Sequence, residues 1–133
     1  MVVLAAISDA DTDEQILAEA VKLADAFDDE LHVVHVRSYD SLSDTEQDAT
    51  DKTVKQQTKA IAAAAVEDVD RSVVPVGLIG QPAAEILEYA EEIDTRYLVI
   101  GGQKRSPVGK ALFGSTTQKV LLGAERPVVT VMG

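Results

Sequence analysis

The stretch Val2 to Ile7 (VVLAAI) is apolar at every position. A strand with one wet face alternates between apolar and polar side chains. A run of strand length without alternation is covered on both faces, the signature of a parallel sheet clothed in helices. Comparable runs recur at Leu31 to Val36, Val73 to Leu78, Tyr97 to Ile100 and Val128 to Met132. What lies between them decides the fold.

After Val2 to Ile7, residues Ile16, Leu17, Ala20, Val21, Ala24 and Phe27 recur at helical spacing, with Asp13 and Glu14 in the first turn, where negative charge suits the helix dipole. The polar stretch from Arg37 to Asp51 contains Ser43 and Glu46 at capping-box spacing. It leads into an Ala-rich helix with a weak stripe of Val54, Ile61, Ala62 and Ala65. Pro82 opens a third helix at its first position, with Ile86, Leu87, Ala90 and Ile93 as the buried stripe. A fourth helix runs from Ser115 to about Leu122, with Gly123 placed as its C-cap. Strands alternating with helices, with no linker or repeat, give a single doubly wound α/β domain over residues 1–133. Pro75 cannot donate to a ladder, so the third strand belongs at a sheet edge. In such sheets ligands bind outside the carboxyl ends of the strands, where strand order reverses.

The segment Tyr97 to Val120 (YLVIGGQKRSPVGKALFGSTTQKV) has the parts of a phosphate site. A strand breaks at Gly101 and Gly102, a loop carries Lys104, Arg105 and Lys110, and Gly114-Ser115 precedes a helix. Glycines allow close backbone approach, N–H groups at a helix start point outward, and cations neutralise phosphate. Ser115 reads as N-cap and phosphate ligand together, with Thr116 beside it. No base accompanies Ser115, so a nucleophilic serine is rejected and no catalytic residue is assigned.

Net charge sharpens this reading. The chain carries −11, yet residues from 101 onward hold five cations and one anion, while residues 1–100 hold seven cations and 22 anions. The anion-friendly segment is a basic island in an acidic protein. An acidic surface argues against nucleic-acid binding, and its density of Asp and Glu suits a protein kept soluble in concentrated salt. Zero cysteines exclude disulfides, thiol catalysis and zinc-thiolate sites. No apolar run is long enough for a membrane span, and no signal segment is recognised, so the expectation is a cytoplasmic protein. Asp9, Asp11 and Asp13 have the spacing of a calcium loop but lack its glycine and distal Glu. Asp9 remains a candidate for a ribose or a magnesium ion. His32 and His35 fall on opposite strand faces as packed or edge residues, and Glu85, Glu88, Glu91 and Glu92 form a solvated helix face.

On these residues the whole chain resembles a universal stress protein. The carriers are VVLAAI, LHVVHV, GQPAAEILEYAEEIDTRYLVIGG and GKALFGSTTQKVLLGAERPVVTV. The family's nucleotide signature is Gly, two residues, Gly, nine residues, Gly, then Ser or Thr. Gly101, Gly114 and Ser115 match it at the correct spacing. Lys104 replaces the second glycine, and Ser8 stands where many members carry an aspartate, with Asp9 one place later. Lys104 either obstructs the backbone approach that glycine permits or pairs with phosphate as a point charge. The resemblance implies a five-stranded parallel sheet of order 3-2-1-4-5. It also implies an adenine nucleotide, ATP with or without Mg2+, held by the glycine loop and by the ends of strands one and two at Ser8 and Val36. A homodimer through strand five, Val128 to Met132, is implied as well. A protein that does little or no ATP hydrolysis is the expectation, and a dimeric interaction module without ATP is the alternative.

Overall fold

A computed structural model describes residues 1–8, 13–39, 51–102 and 113–132. Its elements are β1 (Val2–Ile7), α1 (Asp13–Phe27), β2 (Glu30–Arg37), α2 (Asp51–Ala65), β3 (Val74–Ile79), α3 (Pro82–Glu92), β4 (Thr95–Gly102), α4 (Ser115–Gly123) and β5 (Val128–Met132). All pairings are parallel, and the sheet order is β3-β2-β1-β4-β5. The order implied by the resemblance is therefore the order observed, with β3 at one edge.

β1 lies at the centre because it is the strand that can be dry on both sides. Val3 and Ala5 face a cluster with Ile16, Leu17, Ala20 and Ala24 of α1 and Ala62 of α2. Leu4 faces the opposite cluster, with Ala83, Ile86 and Ala90 of α3 and Val120 of α4. Helices α1 and α2 thus cover one face, α3 and α4 the other. Each fully buried Val or Leu of β1 contributes about 1.5–3 kcal/mol of transfer free energy.

Several local expectations change. Gly101 and Gly102 do not break the strand: they extend β4 and pair with Val131 and Met132 of β5. The N-cap of α4 is Gly114, and Ser115 is its first residue. Gly123 is no left-handed C-cap, since the cap residue is Ala124 in an extended conformation. A Cβ there would lie 2.8 Å from Leu87 Cδ1, the end of a side chain that can turn aside. In α2 the buried line is Val54, Thr58 and Ala62, while Ile61 and Ala65 are exposed. Thr58 can sit in the core because its hydroxyl donates to the Val54 carbonyl at 2.8 Å. Ser43 and Glu46 lie outside the described residues.

Gly77 positions α2. A Cβ at that point of β3 would lie 2.2 Å from Lys59 N and 2.6 Å from Lys55 O, so only glycine lets the helix backbone rest on the strand.

Phe27 continues the α1 stripe in spacing but is exposed, and it finds a different use. The Arg96 guanidinium stacks 4.5 Å above its ring, and the Tyr97 ring lies 5.6 Å away. Arg96 Nε also donates to the buried Asp29 carboxylate at 2.5 Å. Arg71 donates to the Asp29 carbonyl at 2.9 Å and to Asp25 at 2.6 Å. This network fastens the amino ends of β2 and β4 to the end of α1, far from the carboxyl ends where ligands bind. The Arg96 hydrogen bond holds the Asp29 carboxyl below its ordinary pKa, against the opposing effect of burial.

Candidate functional site

Strand order reverses between β1 and β4, whose following segments leave in opposite directions. A cleft of about 410 Å³ opens there. It brings together Ser8 at the end of β1, Val36 on β2, Gly101 and Gly102 on β4, and Gly114, Ser115 and Thr116 at the start of α4. Seven of the ten residues named from sequence thus share one cavity. Asp9, Lys104 and Arg105 lie outside the described residues, as does Lys110.

The lining of the cleft is of two kinds. Part of the lining is apolar, supplied from both faces of the sheet by Ile7, Ile16, Val36, Pro82, Ile86 and Ile100. The other part is the N-terminus of α4. Gly114 has φ −65° and ψ 164°, no side chain of the described residues caps the helix, and no acidic residue stands in its first turn. The Gly114 carbonyl accepts from the Gln118 amide at 3.0 Å, the first intrahelical bond. The amides ahead of Gln118 have no intrahelical acceptor, and the positive end of the helix dipole adds to their pull on an anion.

Two contacts hold this geometry, and neither was evident in the sequence. Thr117 Oγ1 donates to the Gly101 carbonyl at 2.7 Å, fastening α4 to the end of β4. The Ser8 amide donates to Asp13 Oδ1 at 3.0 Å, fastening the end of β1 to the start of α1. Asp13 therefore does more than complement the helix dipole. The signal for Thr117 was its place two residues inside a helix that follows a glycine strand, but a partner 16 residues away is invisible without the sheet.

Gly114 is the informative residue. Its φ is one that any amino acid adopts, and a Cβ built on it would meet nothing within 4 Å. Neither strain nor packing within the described protein calls for glycine here. The contrast with Gly77, Gly102 and Gly123 is clear, since at each of those a Cβ would lie within 2.8 Å of protein atoms.

The histidines take no part in the cleft. His35 is buried with Nδ1 3.3 Å from the Ile7 carbonyl. His32, on the other face, pairs with the Tyr89 hydroxyl at 2.7 Å. Burial lowers the His32 pKa, partly offset by Glu30, and burial raises that of Tyr89. No group of three or more His, Asp or Glu able to hold a metal is found among the described residues. No described helix is long and apolar enough to cross a membrane.

Fold and cleft together define a class: a doubly wound parallel α/β domain with an uncapped helix N-terminus at the point of strand reversal. The chain belongs to the universal stress protein family, whose model matches residues 1–132. A universal stress protein of Mycolicibacterium smegmatis is 42% identical over 57 residues, a match that covers 43% of this chain and 42% of that protein, less than half of its length. Among solved structures, a universal stress protein from Archaeoglobus fulgidus superposes with a TM-score of 0.76 at 27% identity, covering 98% of this chain and 97% of that one. A second from the same organism, in complex with dAMP, gives 0.69 at 23% identity over 98% and 96% of the two chains. A universal stress protein in complex with cAMP gives 0.73 at 18% identity over 98% and 96%. The last two likenesses establish the fold.

Proposed function

We propose that this protein is a stress-response module that binds an adenine nucleotide, ATP, in the cleft between β1 and β4. The observation that carries the reading is the start of α4 opening on that cleft through a glycine that no described neighbour requires. Backbone amides there suit phosphate oxygens, and the hydroxyls of Ser115 and Thr116 supply further donors. The apolar lining at Val36 and Ile86 suits a base, and Ser8 lines the same cleft. The complexes of structural relatives with dAMP and cAMP are consistent with this chemistry. No carboxylate among the described residues lines the cleft, so a ribose or Mg2+ contact rests on Asp9, outside the described residues. Lys104 and Arg105 would add cations to the triphosphate. With no base placed against Ser115, the role is binding and regulation by occupancy, and any hydrolysis is slow. Dimerisation through β5 (Val128 to Met132) belongs to the same proposal, since an apolar terminal edge is hazardous if left open. Sedimentation of a monomer at high protein concentration, with or without nucleotide, would remove that part.

Calorimetric titration of Mg-ATP at low and high salt tests the reading. Heat and a thermal shift are expected. Absence of both would leave the interaction module without ATP. Lys104→Gly then decides the role of the lysine: weaker binding makes it a phosphate ligand, stronger binding an obstruction.

A further inference from the structure

Away from the cleft, α2 carries a feature that the nucleotide reading does not use. Lys52, Lys55 and Lys59 are exposed and follow each other at i, i+3 and i+7, which places them within a narrow arc of one helix face. Like charges at these spacings repel. In a chain with 23 carboxylates such a stripe would readily be neutralised. Lys22, Arg71, Arg96 and Arg126 do meet carboxylates. The three α2 lysines meet none among the described residues.

The stripe borders a groove of about 390 Å³ lined by these lysines, Gln56 and Gly77, with no carboxylate in its wall among the described residues. Gly77 belongs to β3, the terminal strand of the sheet, beyond which no described strand lies. Gly80 N donates inward to the Arg37 carbonyl at 3.0 Å. Alternation along a strand therefore turns the backbone N–H and C=O groups of Gly77 and Ile79 outward, together with Pro75, which has no N–H to offer an inner ladder. Among the described residues, an open backbone edge thus runs beside three cations without counter-charges. The lysines disfavour edge-to-edge pairing with the same strand of a second copy, which carries the same three cations, and by the same charge they attract an acidic strand.

We propose that the β3 edge and the α2 lysine face form a docking site for an extended acidic peptide of a partner protein, which adds to β3 as a strand. Backbone hydrogen bonds to Gly77 and Ile79 would supply register, and carboxylates at alternate positions would meet the lysines. Lys52 to Lys59 spans about 10 Å along the helix axis. Carboxylates two residues apart on a strand are about 6.6 Å apart, so two or three fit the stripe with ordinary lysine reach.

The probe is a synthetic peptide of about eight residues, the length of a long strand, alternating Glu with Val or Thr. Its Gln counterpart, a version N-methylated on the face that meets β3, and inorganic tripolyphosphate are the controls. Fluorescence anisotropy with the full chain is expected to give binding that weakens with salt. The Gln peptide and the protein variant with Lys52→Gln, Lys55→Gln and Lys59→Gln should each bind about tenfold more weakly, a loss typical of a few exposed ion pairs. The N-methylated peptide should lose binding as well. The three lysines are exposed and bridge no described residue, so an unchanged thermal midpoint is expected to accompany the triple substitution. Absence of binding by the acidic peptide overturns the proposal. So does equal binding by the triple variant, undiminished binding by the N-methylated peptide, tripolyphosphate competing as well as the peptide, or lysine-dependent self-association of the chain.

Discussion

Adding one methyl group at each of two glycines should have opposite consequences. At Gly77, an alanine Cβ would stand 2.2 Å from Lys59 N, against the 3.4 Å at which ordinary contact begins, a deficit of 1.2 Å. The obstacle is helix backbone, which moves only if α2 as a whole recedes from β3. Val54, Thr58 and Ala62 would then lose contact with the sheet. Overpacking of this kind costs about 3 kcal/mol, at the upper end of the usual range, which corresponds to about 10 °C in the unfolding midpoint of a domain this size. At Gly114 the same methyl meets no described atom within 4 Å, at an unstrained φ. Alanine is a poorer N-cap than glycine by up to about 1 kcal/mol, and it recovers about 0.4–1 kcal/mol by restricting the unfolded chain. The net effect on stability should fall within about 1 kcal/mol of zero, while the methyl intrudes where phosphate would approach and weakens nucleotide binding at least about tenfold. Thermal unfolding and Mg-ATP titration of Gly77→Ala and Gly114→Ala read both arms. Equal midpoints for wild type and Gly77→Ala would refute the packing argument. Undiminished ATP binding by Gly114→Ala would refute the cradle.

Two further outcomes are expected. The Asp29 carboxyl has a folded pKa below its unfolded value, so the stability it contributes is complete above about pH 4, the unfolded value, and is lost as pH falls through the lowered folded value. Asp29→Asn should therefore lower the midpoint at neutral pH and flatten its decline in acid, and an unchanged acid limb would show that other carboxylates govern it. With a net charge of −11, the unfolding midpoint should rise from low to molar KCl as repulsion among carboxylates is screened. A midpoint indifferent to salt would remove the salt-adapted reading.

Fold and site differed in how they could be read. The absence of alternation in Val2 to Ile7 carries its meaning locally: six apolar residues in a row need cover on two faces, wherever the covering helices come from. Pro75 likewise announced an edge, because a missing N–H is a property of the residue itself. Gly101, Gly114 and Ser115 pointed to one part of the cleft lining, because the backbone freedom of glycine and the hydroxyl of serine are also properties of the residues themselves. Phe27 and Thr58 misled because periodicity counts hydrophobicity alone. Phe27 is taken out of the core by a cation from a strand 69 residues later, whose ring contact and Asp29 pairing no local pattern contains. Thr58 is brought into the core because its hydroxyl has a carbonyl one turn back.

The sequence by itself determined the parallel sheet, its edge at β3, and the glycine and hydroxyl residues of one wall of the cleft. These follow from hydrophobic pattern, backbone chemistry and spacing, which act over a few residues. Only the tertiary structure decided which glycines serve packing and which leaves room for a ligand. Gly77 is confined by helix backbone, Gly102 and Gly123 by the side-chain ends of Met132 and Leu87, and Gly114 by no described atom, and that difference depends on what folding brings opposite each Cα. The same holds for the lysines of α2: their spacing is in the chain, but the open strand edge beside them exists only once β3 takes the outermost place in the sheet.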